Sequence, residues 1–145
     1  MRLVLDTSVT LSWLLIDGSA AERRYAHSVL EAMKAQDTVA EVPETWGLEV
    51  ANVLAKAEAK KLITEAQSEA FREMLAGIRI RADEQTFPQS LTDVLQVARR
   101  YRLSSYDASY LEPALRNGLP LATLDVALAK AADKAGTRRF NPTSR

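Results

Sequence analysis

The stretch MRLVLDTSV, residues 1–9, places an aspartate at the end of an apolar run. Residues 2–6 have the composition of a short buried strand, and this strand is predicted to end on Asp6. Two small hydroxyl residues, Thr7 and Ser8, follow before the apolar pattern resumes. Aspartate is common as a helix N-cap, although Thr7 or Ser8 would cap equally well. Asp6 is therefore either a plain helix cap or the first residue of a site.

Capping signals, glycine stops and hydrophobic periodicity predict the elements that follow. Residues 19–22 and 64–67 are capping boxes, and Gly118 and Gly136 are typical helix ends. The predicted helices cover residues 8–16, 19–35, 43–60, 64–77, 104–117 and 125–135, with a further helix from Pro88 or Ser90 to about Tyr101. The later predicted strands cover residues 38–42, 78–82 and 120–124, with residues 137–140 as a short last strand.

The alternation of strands and helices predicts a three-layer α/β/α domain with a central, mostly parallel sheet. No linker or repeat interrupts the chain, so residues 1–145 are predicted to form one domain, with a frayed tail at about residues 141–145. Ligand sites in such sheets lie at the carboxyl ends of the strands. Asp6 and Asp125 each follow a predicted strand directly, so both are candidates for a site at that edge.

The composition excludes several classes of site. The chain of 145 residues has no cysteine, which removes disulfides, thiolate zinc sites and thiol nucleophiles. Its one histidine, His27, cannot build a multi-histidine metal centre. Lys plus Arg and Asp plus Glu both number 19, so nucleic acid could be held only by local basic patches. No signal peptide or membrane-spanning run is recognisable, and a cytoplasmic location is the expectation.

Two further acids, Glu49 and Asp107, join the candidates, and each has an ordinary alternative. Glu49 lies at the edge of the apolar stripe of its helix without a basic partner at i+3 or i+4, where it could also reach water. Asp107 has capping-box spacing from Ser104, and Asp125 could be an N-cap. Like charges brought together raise each other's pKa unless a cation intervenes. Mg²⁺ and Mn²⁺ prefer oxygen ligands and need neither Cys nor His, so a divalent ion is the natural resolution.

Four short motifs in this order resemble those of PIN-domain ribonucleases, and within them the VapC-type toxins of bacterial toxin–antitoxin pairs. They are Leu-Asp-Thr-Ser at residues 5–8, Glu-Val-Ala-Asn at 49–52, Leu-Ser-Ser-Tyr-Asp-Ala at 103–108 and Thr-Leu-Asp at 123–125. The resemblance covers nearly the whole chain and implies a PIN-like domain. One departure is Val126, where the family often has a charged residue.

The resemblance implies roles for seven residues, and closeness in sequence adds two basic candidates. Asp6, Glu49, Asp107 and Asp125 would form the catalytic, metal-binding pocket. Ser8, Asn52 and Thr123 would support it. Lys56 and Arg102, close in sequence to these motifs, are the candidates for contact with RNA.

The activity implied is hydrolysis of RNA phosphodiester bonds with one or two Mg²⁺ or Mn²⁺ ions, leaving a 5′-phosphate and a 3′-hydroxyl. The implied partners are an RNA substrate, a cognate antitoxin and a second copy of the chain. One alternative is a non-catalytic PIN-like binding protein. The other is a phosphatase of the haloacid-dehalogenase type, but that family expects a second aspartate where Ser8 stands.

Overall fold

The computed structural model describes residues 1–142 and contains a four-stranded sheet in which every strand pair is parallel. The strands lie in the order β3-β2-β1-β4. They are β1 (Arg2–Leu5), β2 (Val39–Pro43), β3 (Ile80–Asp83) and β4 (Leu121–Ala122). The predicted α/β class with a parallel sheet is therefore confirmed.

Helices connect the strands and cover both faces of the sheet. They are α1 (Thr7–Ser12), α2 (Ala20–Met33), α3 (Trp46–Ala59), α4 (Glu65–Ala76), α5 (Thr86–Gln89), α6 (Leu95–Tyr101), α7 (Ser105–Asn117) and α8 (Val126–Ala135). A π-helical turn, Ser90–Val94, joins α5 to α6. No helix within residues 1–142 combines the length and apolarity needed to cross a bilayer.

Strand β1 separates two apolar clusters because its side chains alternate between the faces of the sheet. Leu3 and Leu5 pack with residues of α1 and α2 on one face, whereas Val4 packs with residues of α7 and α8 on the other. Trp46, at the start of α3, contacts both clusters. This central position of β1 holds its carboxyl end firmly, and that end carries Asp6.

Both predicted capping boxes are present, but several predicted boundaries are wrong. Pro43 ends β2 and does not open a helix; α3 begins only at Trp46. The first helix stops at Ser12, where the chain turns so that the Trp13 indole N–H donates to the Ala26 carbonyl at 2.7 Å. The helix predicted from Pro88 or Ser90 already begins at Thr86.

The carboxyl-terminal part of the sheet is shorter than predicted. Strand β4 ends at Ala122, because the next free N–H groups, of Leu124 and Asp125, donate to side-chain hydroxyls and not to a neighbouring strand. The expected strand at residues 137–140 is reduced to a single bridge between Leu121 and Arg139. Of the predicted frayed tail, residues 143–145 lie outside the described residues.

Candidate active site

The adjacency of β1 and β4 brings Asp6 next to residues more than a hundred positions away in the chain. Ser8 Oγ donates to Asp6 Oδ2 at 2.6 Å, and Thr123 Oγ1 donates to the same oxygen at 2.7 Å. Each hydroxyl in turn accepts a backbone N–H, Ser8 from Leu124 at 2.9 Å and Thr123 from Asp125 at 3.0 Å. Since an accepted N–H directs the hydroxyl proton away from the donor, both protons are aimed at Asp6.

This arrangement argues against the plain helix-cap interpretation of Asp6. Asp6 occupies the N-cap position of α1, but its side chain makes no cap hydrogen bond. Its side chain is buried, with 5% of the residue exposed. Oδ2 is held by the two hydroxyls, whereas Oδ1 lies 3.5 Å from the Thr7 hydroxyl. Asp6 is thus oriented by its neighbours with one oxygen left for another contact.

Asp125 and Asp107 lie at helix starts, as the sequence predicts. Asp125 caps α8, because its Oδ1 accepts the Leu128 N–H at 2.8 Å. Ser104 caps α7 by accepting the Asp107 N–H at 3.1 Å. The cap at Asp125 uses Oδ1 and fixes the orientation of the carboxylate. Oδ2 takes no part in that hydrogen bond.

Glu49 is half-buried and is held by three hydroxyls, none of which was predicted as a site residue. Thr7 Oγ1 donates to one carboxylate oxygen at 3.2 Å. Thr45 Oγ1 and Tyr110 Oη donate to the other oxygen at 3.4 and 3.3 Å. Tyr110 is buried, and it lies three residues after Asp107 on the same helix. That i, i+3 spacing was the only sequence signal for Tyr110, and it is equally typical of a core residue.

The four acids share one electrostatic environment. Burial raises the pKa of Asp6, and the charge of Asp125 raises it further despite the two hydroxyl donors. Burial also raises the pKa of Asp107, with contributions from the charges of Asp125 and Asp6. The pKa of Glu49 is raised by burial and by the charge of Asp6. The charges of Asp6 and Asp125 therefore disfavour ionisation of the acids near them, which a bound cation would relieve.

The remaining predicted residues are not in hydrogen-bond contact with this group. Asn52 is exposed, one helical turn after Glu49 on α3. Lys56 is exposed one turn further along the same helix. Arg102 is the exposed C-cap of α6 and adopts a left-handed conformation with φ of 53°. Val126, at the departure from the family motif, is 67% exposed at the start of α8.

Comparison with known proteins identifies the family. The PIN domain family model matches residues 3–134. The chain belongs to the PIN-domain family. This PIN domain is also similar in fold to the crystal structure of PAE2754 from Pyrobaculum aerophilum, with a TM-score of 0.64 and 24% sequence identity over 90% of this chain and 79% of the other. A search of curated proteins finds no match.

PIN domains are typically nucleases that use divalent metal ions, and membership in this family displaces the haloacid-dehalogenase-type alternative. Within residues 1–142 of this PIN domain, no three acidic or histidine side chains already form a metal-binding cluster. The candidate metal ligands nevertheless suit Mg²⁺ or Mn²⁺, because all of them are oxygens. One of them, Asp6 Oδ1, lies 3.5 Å from the Thr7 hydroxyl.

A surface cavity of about 420 Å³ adjoins the acids of the PIN domain. Its lining includes Ser8 and Asp125, the apolar side chains of Leu11, Leu15 and Val53, and two further acids, Asp17 and Glu22. The site is therefore continuous with a space that could accept part of a larger ligand.

Proposed function

We propose that this PIN domain is a metal-dependent endoribonuclease and the toxin component of a VapC-type toxin–antitoxin pair that acts in the cytoplasm. The observation that carries the nuclease proposal is the orientation of Asp6. A buried carboxylate is fixed through one oxygen by two hydroxyls, and its other oxygen lies 3.5 Å from the Thr7 hydroxyl, which also donates to Glu49. The four VapC-like motifs support the toxin assignment, with a cognate antitoxin and a homodimer as the proposed partners.

The residues have distinct roles in this proposal. Asp6, Glu49, Asp107 and Asp125 would hold one or two Mg²⁺ or Mn²⁺ ions. A bound ion supplies an activated water and stabilises the charge on the leaving oxygen. Ser8 and Thr123 keep the Asp6 carboxylate in one orientation.

Asn52, Lys56 and Arg102 complete the proposed set from the rim. All three are exposed, and the two cations suit contact with RNA phosphates. Hydrolysis by water needs no ribose 2′-hydroxyl, so the products would carry a 5′-phosphate and a 3′-hydroxyl.

The test is cleavage of a total small-RNA pool by purified protein in Mg²⁺ or Mn²⁺ and in EDTA. The Asp6→Asn variant keeps an oxygen that accepts from both hydroxyls but places an NH₂ group where Oδ1 was. The matched control is Asp37→Asn, which changes an exposed aspartate just before β2, at the amino ends of the strands. We expect discrete 5′-phosphorylated fragments from wild type and the control in metal, and none from Asp6→Asn or in EDTA.

The non-catalytic alternative is favoured by one observation, the lack of a preformed metal cluster within residues 1–142. It predicts that no divalent ion binds and that no RNA is cut. Wild type and Asp6→Asn would then be equally inactive, and the nuclease proposal would be abandoned. The toxin assignment is tested separately, because expression of wild type, but not Asp6→Asn, should arrest growth of a bacterial host.

A further inference from the structure

One edge of α3 carries a row of exposed lysines that starts beside the acidic site. At 100° per residue, Lys56 and Lys60 project within about 20° of the direction of Glu49. With a rise of 1.5 Å per residue, they lie roughly 10 and 16 Å further along the helix axis. Both lysines are exposed, and Lys60 is the C-cap of α3. The row therefore leads away from the acids in a nearly straight line.

Within the described part of the chain, the lysines of this row, Lys56 and Lys60, have no ion-pair partner. By contrast, Lys34 pairs with Glu31 at 2.7 Å. In a chain with no net charge, two unpaired cations in line with an acidic site are a local patch suited to consecutive phosphates.

The cavity that Asp125 lines also adjoins α3, through Val53. Val53 projects about 40° from Glu49, between the lysine row and the cavity that it lines. Leu11, Leu15 and Leu124 give that cavity apolar surface, and the carboxylates of Asp17 and Glu22 lie around it. An unstacked base would bury its ring against such a surface, and only single-stranded RNA offers unstacked bases.

We propose that α3 is a track for the single-stranded RNA that flanks the cleaved bond. Its phosphates lie on Lys56 and Lys60, and a base next to the cleavage site lies in the cavity lined by Leu11 and Val53. A single narrow row of cations on one helix follows one strand, whereas a duplex needs contacts on two strands across a groove. This inference rests on the proposed nuclease function.

The test is the salt dependence of RNA binding, measured in EDTA so that cleavage does not contribute. The probes are a short fluorescein-labelled single-stranded RNA of mixed sequence and its duplex, followed by fluorescence anisotropy between about 50 and 200 mM salt. The variant is Lys56→Ala/Lys60→Ala. Its control is Lys34→Ala/Arg79→Ala, which removes the same charge from a basic pair at the opposite edge of the sheet. Circular dichroism verifies that each variant is folded.

The expected result is a slope of log affinity against log salt that is shallower by about 1.4 in the α3 variant, at about 0.7 for each lost phosphate contact. Over that salt range, wild type would lose about sevenfold more affinity than the variant. The control should keep the wild-type slope, and the duplex should bind more weakly than the single strand. Equal slopes in wild type and the α3 variant, an equal loss in the control, or preference for the duplex would each overturn the inference.

Failure of the track and failure of the nuclease function give different results. If metal-dependent cleavage is present but the α3 variant binds RNA with an unchanged slope, only the track is wrong. The lysine row would then be free for a protein partner. If wild type neither cuts nor binds RNA, the nuclease proposal fails and the track fails with it.

Discussion

The Asp6→Asn substitution should distinguish the contribution of the Asp6 carboxylate to folding stability from its contribution to metal binding. The two hydroxyls that hold Asp6 donate to one oxygen at 2.6 and 2.7 Å, and asparagine retains an oxygen that accepts both. The substitution also removes a buried negative charge that Asp125 disfavours. We therefore expect Asp6→Asn to be at least as stable as wild type in EDTA at neutral pH.

Metal should stabilise wild type but not the variant. A ligand present at a hundred times its dissociation constant stabilises the folded state by about 2.7 kcal/mol. For a chain of this size, each kcal/mol raises Tm by about 2 to 4 °C, so saturating Mg²⁺ or Mn²⁺ should raise the wild-type Tm by about 5 to 10 °C. Asp6→Asn loses the carboxylate oxygen that Ser8 and Thr123 do not use and should show little or no rise.

The pH dependence of the metal-free protein follows from the direction of the pKa shift. The pKa of Asp6 is higher in the folded chain than in the unfolded one, mainly because of burial. Between those two pKa values the folded state binds more protons, so its stability falls as pH rises. Asparagine has no such titration. The stability advantage of Asp6→Asn over wild type in EDTA should therefore grow as pH rises and shrink toward acid pH.

The assay is thermal unfolding followed by circular dichroism, in EDTA and in MgCl₂ or MnCl₂ at matched ionic strength, across a series of pH values. Asp37→Asn, which changes an exposed aspartate, should behave as wild type. An equal rise of Tm with metal in Asp6→Asn and wild type would refute Asp6 as a ligand. A clear loss of stability of Asp6→Asn in EDTA would refute the account of its hydrogen bonds.

Three further substitutions test neighbouring parts of the structure. Tyr110→Phe removes a 3.3 Å hydrogen bond to Glu49, so it should cost at most about 1 kcal/mol and weaken Mn²⁺ binding in calorimetry; unchanged binding would contradict a positioning role. Thr123→Val removes a donor to the buried Asp6 and should cost roughly 1 to 3 kcal/mol in urea unfolding, and a loss below about 0.5 kcal/mol would count against the network. Although burial raises the pKa of Glu41, two arginines lower it overall, so the stability it contributes is present above its unfolded pKa and is lost as pH falls. Glu41→Gln should therefore be less stable than wild type at neutral pH, and a gap that widened on acidification would show the sign to be wrong.

Local signals predicted much of the secondary structure because they act over a few residues. The boxes at Ser19 and Thr64 cap α2 and α4 as expected. Gly118 and Gly136 end α7 and α8 with φ of 63° and 80°, where a side chain would be strained. The errors occurred where a distant contact decides a boundary. Proline is common in the first turn of a helix, but pairing with β3 keeps Pro43 in the sheet.

The candidate site acids show the same difference between what local sequence signals predict and what distant contacts decide. Spacing alone could not separate capping from a site role, and the structure shows that a capping acid can still lie near the other candidate acids. Asp125 caps α8 and still raises the pKa values of Asp6 and Asp107. Tyr110 was missed, because a buried tyrosine on an amphipathic helix carries no local mark of the partner that its hydroxyl finds.

The sequence by itself determined the order of strands and helices and the chemistry of the available donors. A chain with no cysteine and one histidine leaves carboxylates and hydroxyls as the candidate ligands, and two of its acids directly follow predicted strands. Only the tertiary structure decided which carboxylate oxygen of Asp6 accepts the hydrogen bonds from the hydroxyls. That choice needs Ser8 and Thr123, 115 residues apart, on one carboxylate. They meet because parallel pairing places the carboxyl ends of β1 and β4 side by side, and no local pattern encodes a contact made by that long-range pairing.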